Sequence, residues 1–183
     1  MENNQGYDRM LKNLADVVQE AQLKIGYDRH PITLYYPAES VARQLGCAED
    51  ADAVEQALAG FGAYSAAKMG AINVTRDDKR FCFRISADAV GYIHENIPES
   101  AFLRDFLGVM CGLEVTLPAI EAVFRKYSDK AVCEPIPDNE EFNYLFYFAD
   151  GQPDDYRYCI ALEDDGCAVY HRFTPADYTA FGF

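Results

Sequence analysis

The sequence predicts an α+β protein, and three observations carry that reading. Apolar residues recur with helical spacing over most of residues 1–129, and after Asp129 the period changes to alternation. The alternating stretch is punctuated by Asp150-Gly151 and Asp165-Gly166, both hairpin-type pairs. Residues 1–129 are therefore expected to be mostly helical with a small β wing, and residues 130–183 to form an antiparallel β-meander with a short terminal helix. The meander should pack on the preceding helices, giving one compact unit.

The elements follow in order. A first helix is expected over residues 7–25, with Met10, Leu14, Val17, Val18, Ala21 and Ile25 on one face and Gly26 ending it. Ile32, Leu34 and Tyr36 alternate between Pro31 and Pro37, the pattern of a short edge strand. A second helix covers residues 38–45, closed by Gly46. A third starts near Asp52, which has capping-box spacing with Glu55, and runs to Met69 with Gly60 and Gly62 weakening its middle.

Residues 71–74 and 80–85 flank the polar turn Arg76-Asp77-Asp78-Lys79 and read as a β-hairpin. Ser86, Ser100 and Thr116 stand where the caps of three more helices belong. The middle one carries Phe102, Leu103, Phe106, Leu107 and Met110, and is apolar enough all round to be buried. Strands are expected at 131–136, 142–148, 156–162 and 167–173, and Thr174-Pro175 opens the terminal helix. On strand 142–148 the alternation places Phe142, Tyr144, Phe146 and Phe148 on one face.

Composition bounds the function. Half of the 183 residues are hydrophobic, with 13 Tyr and 12 Phe, so a packed core needs neither disulfide nor metal. The six cysteines (Cys47, Cys82, Cys111, Cys133, Cys159 and Cys167) include no C-x-x-C pair and read as small buried hydrophobes of a reducing cytoplasm. No signal-like start and no bilayer-length apolar run occur, so no membrane is expected. The net charge is -14, and residues 134–165 hold ten acids against the single base Arg157. A field of that sign repels phosphates, which makes nucleic acid an unfavoured partner for the C-terminal half.

Within residues 7–85 the order helix, strand, helix, helix, strand, strand is that of a winged-helix module, and Ser40-Val41-Ala42-Arg43-Gln44-Leu45-Gly46 is similar to the first helix of helix-turn-helix pairs. Arg76, Lys79, Arg80 and Arg84 on its wing form the best basic cluster, the patch a DNA-binding reading would use. The third helix offers few groups to read bases, so the module is expected to contact protein rather than DNA.

Over nearly the whole length the chain resembles an uncharacterised bacterial family, domain of unknown function 3877. The likeness lies in Leu23-Lys24-Ile25-Gly26-Tyr27, Leu34-Tyr35-Tyr36-Pro37, Phe124-Arg125-Lys126-Tyr127-Ser128-Asp129, Tyr144-Leu145-Phe146-Tyr147-Phe148, Asp154-Asp155-Tyr156-Arg157-Tyr158-Cys159 and Tyr170-His171-Arg172-Phe173-Thr174. The resemblance implies a bacterial cytoplasmic protein and no particular activity, cofactor or catalytic residue.

Reactive groups are sparse. His30, His94 and His171 have no metal-ligand spacing, and Asp150-Gly151-Gln152-Pro153-Asp154-Asp155 lacks the ligand pattern of an EF-hand, so no metal site is assigned. No nucleophile motif and no Gly-rich phosphate loop occurs, and no catalytic residue or cofactor is assigned. A hairpin over Asp164-Asp165 sets Cys159 opposite Tyr170 or His171.

The resulting expectation is a non-catalytic cytoplasmic interaction or regulatory protein. Its partner is another protein, met by an acidic, Tyr-rich surface of Tyr144, Asp154, Asp155, Tyr156, Tyr158 and Tyr170. A winged-helix DNA binder is the alternative, and an enzyme without a recognisable motif comes third.

Overall fold

Eight helices and seven strands form over residues 2–163 and 165–182, which the computed structural model of the chain describes. The protein is α+β, and every strand pairing is antiparallel. Contacts group the chain into two units, residues 1–99 and 100–183.

The first unit runs α1 (Glu2–Ile25), β1 (Ile32–Pro37), α2 (Ala38–Leu45), α3 (Ala51–Leu58), α4 (Phe61–Lys68), β2 (Ile72–Asp77), β3 (Arg80–Ile85) and α5 (Ala87–Asn96). Its sheet has the order β1-β3-β2, with β1 on an edge as the flanking prolines predict. On β3, Phe81, Phe83 and Ile85 are buried while Arg80 and Arg84 are exposed, so one face meets the helices and the other meets solvent. Phe61 joins the two layers, edge-on to Tyr7 at 5.4 Å and to Phe83 at 5.9 Å. Each such ring contributes about 2–3 kcal/mol through the apolar area it removes from water. Gly6 lets α1 approach α2, because a Cβ there would lie 2.8 Å from the Leu45 carbonyl oxygen.

The expected third helix is two helices. It breaks at Ala59-Gly60, and the Tyr7 hydroxyl donates to the Ala57 carbonyl at 2.6 Å, satisfying an acceptor that a continuous helix would direct at Phe61. The cap also differs from the capping box expected at Asp52. Asp50 caps α3, its carboxylate accepting from the backbone of Asp52 and Ala53. The β2–β3 turn is tighter than expected, a two-residue Asp78-Lys79 loop with Asp78 at φ +52°.

The second unit runs α6 (Ala101–Met110), α7 (Leu117–Tyr127), β4 (Ala131–Pro135), β5 (Tyr144–Phe148), β6 (Arg157–Leu162), β7 (Ala168–Phe173) and α8 (Pro175–Phe181). The strands pair as the expected meander, β4-β5-β6-β7, starting one residue after the change of period at Lys130. One face of the sheet meets α6 and α7 through rings. Phe102 lies 4.9 Å from Phe148, and Phe124 lies 4.9 Å from Phe146 and 5.4 Å from Tyr158.

The opposite face is apolar too, with Phe142, Leu145 and Cys159 packed against Tyr178 of α8. Phe142 belongs to this face and not, as alternation predicts, to that of Phe146. The regular strand begins only at Tyr144, and Asn139 holds a turn before it by accepting from the backbone of Glu141 and Phe142, both at 2.8 Å. No helix among the described residues is long and apolar enough to cross a membrane.

Candidate functional site

Of the six residues expected as a partner surface, two are buried, three are half-buried and one is exposed. Tyr156 and Tyr158 are 4% and 0% exposed, Tyr158 because β6 turns it into the ring layer under α6 and α7. The Tyr158 hydroxyl donates to Asp154 Oδ2 at 2.7 Å, and the Arg172 guanidinium lies 4.4 Å over the Tyr156 ring. Burial, followed by the Asp154 charge, pushes the Tyr158 hydroxyl well above the usual tyrosine range. Tyr170 packs edge-on to Phe106 at 4.9 Å, and Tyr144 is half-buried. Of the six, only Asp155 is exposed.

The four cations of the expected nucleic-acid patch are exposed but divided between two faces. Arg76, across from Phe81, turns to the helix side and donates to Asp52 at 2.5 Å and Glu55 at 3.0 Å on α3. These two bonds raise its already high pKa. Arg80 and Arg84 point to the opposite, bare face, and Lys79 sits in the turn. Tyr35, 58% exposed and opposite Cys82, lies between the two arginines. Among the described residues neither Arg80 nor Arg84 has an ion pair. The groove beside β2, about 380 Å³, is floored by Leu58, Ile72, Val74 and Phe81, and the Glu55–Arg76 pair lines its rim.

Cys159 and Cys133 are poorly suited to nucleophilic work. Of the two partners expected for Cys159, Tyr170 and His171, the register selects His171, and Asp164 of the expected turn lies outside the described residues. Burial and then the Glu141 charge push the Cys159 thiol up to about 11, and burial with Glu121 does the same for Cys133. Both are protonated near neutrality, the unreactive form. His171 is exposed, its ring 4.1 Å from that of Phe173, while His30 meets Asp28 and His94 stacks on Tyr27 at 3.8 Å. Among the described residues no group of three or more His, Cys, Asp or Glu is placed to hold a metal ion.

Sequence reasoning missed the outer edge of the second sheet. Val169 is 66% and Phe181 56% exposed, beside His171 and Phe173, whose ring lies 5.4 Å from that of Phe181. Helix α8 packs through Tyr178 on the Phe142–Cys159 part of that face and through Phe181 on Phe173, and Val169 and His171 stay exposed. Alternation of Val169, His171 and Phe173 was the available signal. Glu141, whose charge reaches Cys159, and Glu163, which precedes the β6–β7 turn, are both exposed.

A family model matches residues 7–182, under the description "Domain of unknown function, E. rectale Gene description (DUF3877)". No curated protein and no solved structure matches the chain.

Proposed function

The chain belongs to this family of unknown function, and from that premise we propose a non-catalytic interaction or regulatory protein of the bacterial cytoplasm that binds another protein through its second unit. One observation carries the reading: Val169, His171 and Phe181 stand exposed on the β7 and α8 side of a sheet that buries Phe142, Leu145 and Cys159 on its outer face. Contiguous exposed apolar groups with polar neighbours are the usual mark of an interface. The acids of residues 134–165 supply the polar surround.

The test is affinity capture on the immobilised chain, comparing the wild type with a Val169→Asp/Phe181→Asp double variant and with charge reversal at Glu141 and Glu163. A specific protein held by the wild type and lost from both variants is the expected result. The reading fails when every captured protein stays bound to all three.

A winged-helix DNA binder is the second reading, favoured by the helix order and by a three-stranded β1-β3-β2 sheet that bears exposed arginines. It predicts that neutralising Arg76, Lys79, Arg80 and Arg84 abolishes duplex binding. Equal affinity before and after removes it.

A further inference from the structure

The bare face of the first sheet carries Arg80 and Arg84 against one carboxylate, Asp77 opposite Arg80, and so is net positive in a chain whose net charge is -14. Arg80 and Arg84 are four residues apart on β3, so their Cα atoms lie about 13 Å from each other. Thr33 and Asn73 flank Arg84 in register, and Tyr35 stands between the arginines with most of its ring in solvent. Tyr and Arg are the residue types enriched where proteins meet. With neither arginine in an ion pair among the described residues, this net positive face is open to an anionic counter-surface.

The second unit offers one. Residues 100–183 hold 15 acidic and 6 basic side chains, a net of -9. Its exposed apolar edge at Val169 and Phe181 accompanies the exposed carboxylates Glu141 and Glu163. Two such edges cannot pair with each other, because the contact would bring net negative surfaces together. A cationic surface with an aromatic residue at its centre suits this edge, and the Tyr35–Arg80–Arg84 face is of that kind.

We infer that the Tyr35–Arg80–Arg84 face of one molecule docks on the Val169–Phe181 edge of a second copy of the chain. The inference rests on the reading of that edge as a protein-binding surface and names its partner. The two surfaces differ, so the contact is heterologous and does not close as a symmetric pair: each added molecule presents both surfaces again. Association therefore grows with concentration beyond a dimer. It weakens in salt, because exposed charges are screened beyond about 10 Å at 0.1 M ionic strength and beyond about 3 Å at 1 M.

The experiment is sedimentation velocity on the full chain from about 1 µM to about 100 µM, at low and at high salt. The average mass should rise past twice that of the monomer at low salt and fall back at high salt. An Arg80→Glu/Arg84→Glu variant should stay monomeric, and so should a Glu141→Lys/Glu163→Lys variant. All four positions are exposed, and a thermal melt of each variant checks that it folds.

Mixing the two variants restores opposite charge across the contact and should restore the mass increase. A monomer under every condition overturns the inference, as does a limiting dimer, an Arg80→Glu/Arg84→Glu variant that associates like the wild type, or a mixture that stays monomeric. A monomeric wild type that still loses a captured foreign protein on Val169→Asp/Phe181→Asp overturns the self-association alone and leaves the proposed function standing.

Discussion

The sheet of the first unit has one covered face and one bare face, whereas the sheet of the second is apolar on both. In β3, the buried and exposed positions alternate from Arg80 to Ile85, and the bare face carries Thr33, Tyr35, Cys82 and Arg84. In β6, Tyr158, Cys159 and Ile160 are consecutive and all buried, because α6 and α7 take one side while Phe142 and α8 take the other. A half-solvated antiparallel sheet writes its inner face into the sequence as a period of two, and a sheet covered twice writes a nearly continuous apolar run. The difference decides where each unit keeps exposed surface: a whole sheet face in the first, an edge in the second.

Substitutions at matched outer positions put the largest effect on this contrast. Leu145→Ala, on the outer face of the second sheet but buried, should cost about 2–5 kcal/mol in urea unfolding. Cys82→Ala, on the bare face of the first sheet, should cost less than about 1 kcal/mol. Equal costs at the two positions would break the comparison, since they would mean that α8 and Phe142 do not seal a second core.

How much of this was legible follows from the same contrast. The first unit's strands and β1's edge position and the four-strand meander came directly from alternation and turn spacing, which also narrowed the partner of Cys159 to Tyr170 or His171, and the register selects His171. Misreadings arose where a tertiary contact overrode local pattern. Phe142 crossed faces because Asn139 holds a turn, and the third helix broke where Tyr7, fifty residues away, takes the Ala57 carbonyl. Tyr156 and Tyr158 looked like surface residues because a tyrosine shows its polar tip in a sequence and not its depth. Here Asp154 satisfies the Tyr158 hydroxyl inside the ring layer. The exposed Val169–Phe181 edge was legible only after the paths of β7 and α8 were known.

That hydroxyl sharpens the comparison next. Tyr158→Phe removes the hydroxyl that donates to Asp154 Oδ2 and should cost about 1–3 kcal/mol. The pH dependence has a definite sign. In the folded state Tyr158 ionises well above its ordinary value of 10.0, and Cys159 at about 11 against an ordinary 9.0. Folded chains therefore hold these protons after unfolded chains release them, so the stabilisation is complete below pH 9 and is lost as pH rises beyond it. Unfolding midpoints between pH 8 and pH 11 should fall for the wild type and fall less for Cys159→Ala and Tyr158→Phe, each compared with its own midpoint at pH 8.

The first unit treats a buried polar group in the opposite way. Gln44 is 7% exposed, and both its side-chain oxygen and nitrogen are buried without a hydrogen-bond partner among the described residues. Such a group loses its hydration with no return, at a cost of about 1–3 kcal/mol. Gln44→Met keeps the length of the side chain and removes both orphaned atoms, so it should raise stability by about 1 kcal/mol. A thermal melt that moved down instead would show that the amide has a partner, and the contrast with Tyr158 would disappear.

The smallest effect concerns how α3 begins. Spacing nominated Asp52 with Glu55 as a capping box, yet both carboxylates turn to Arg76 while Asp50 accepts from two backbone N–H groups of the first turn. A cap contributes about 1 kcal/mol, whereas an exposed ion pair contributes little and fades in salt. Asp50→Ala should therefore lower the unfolding midpoint in a salt-independent way, while Asp52→Ala should leave it nearly unchanged at high salt. The pair of measurements separates a side chain that starts a helix from one that only decorates it. A larger loss at Asp52 would return α3 to the start its sequence announces and loosen the hold that this helix has on Arg76.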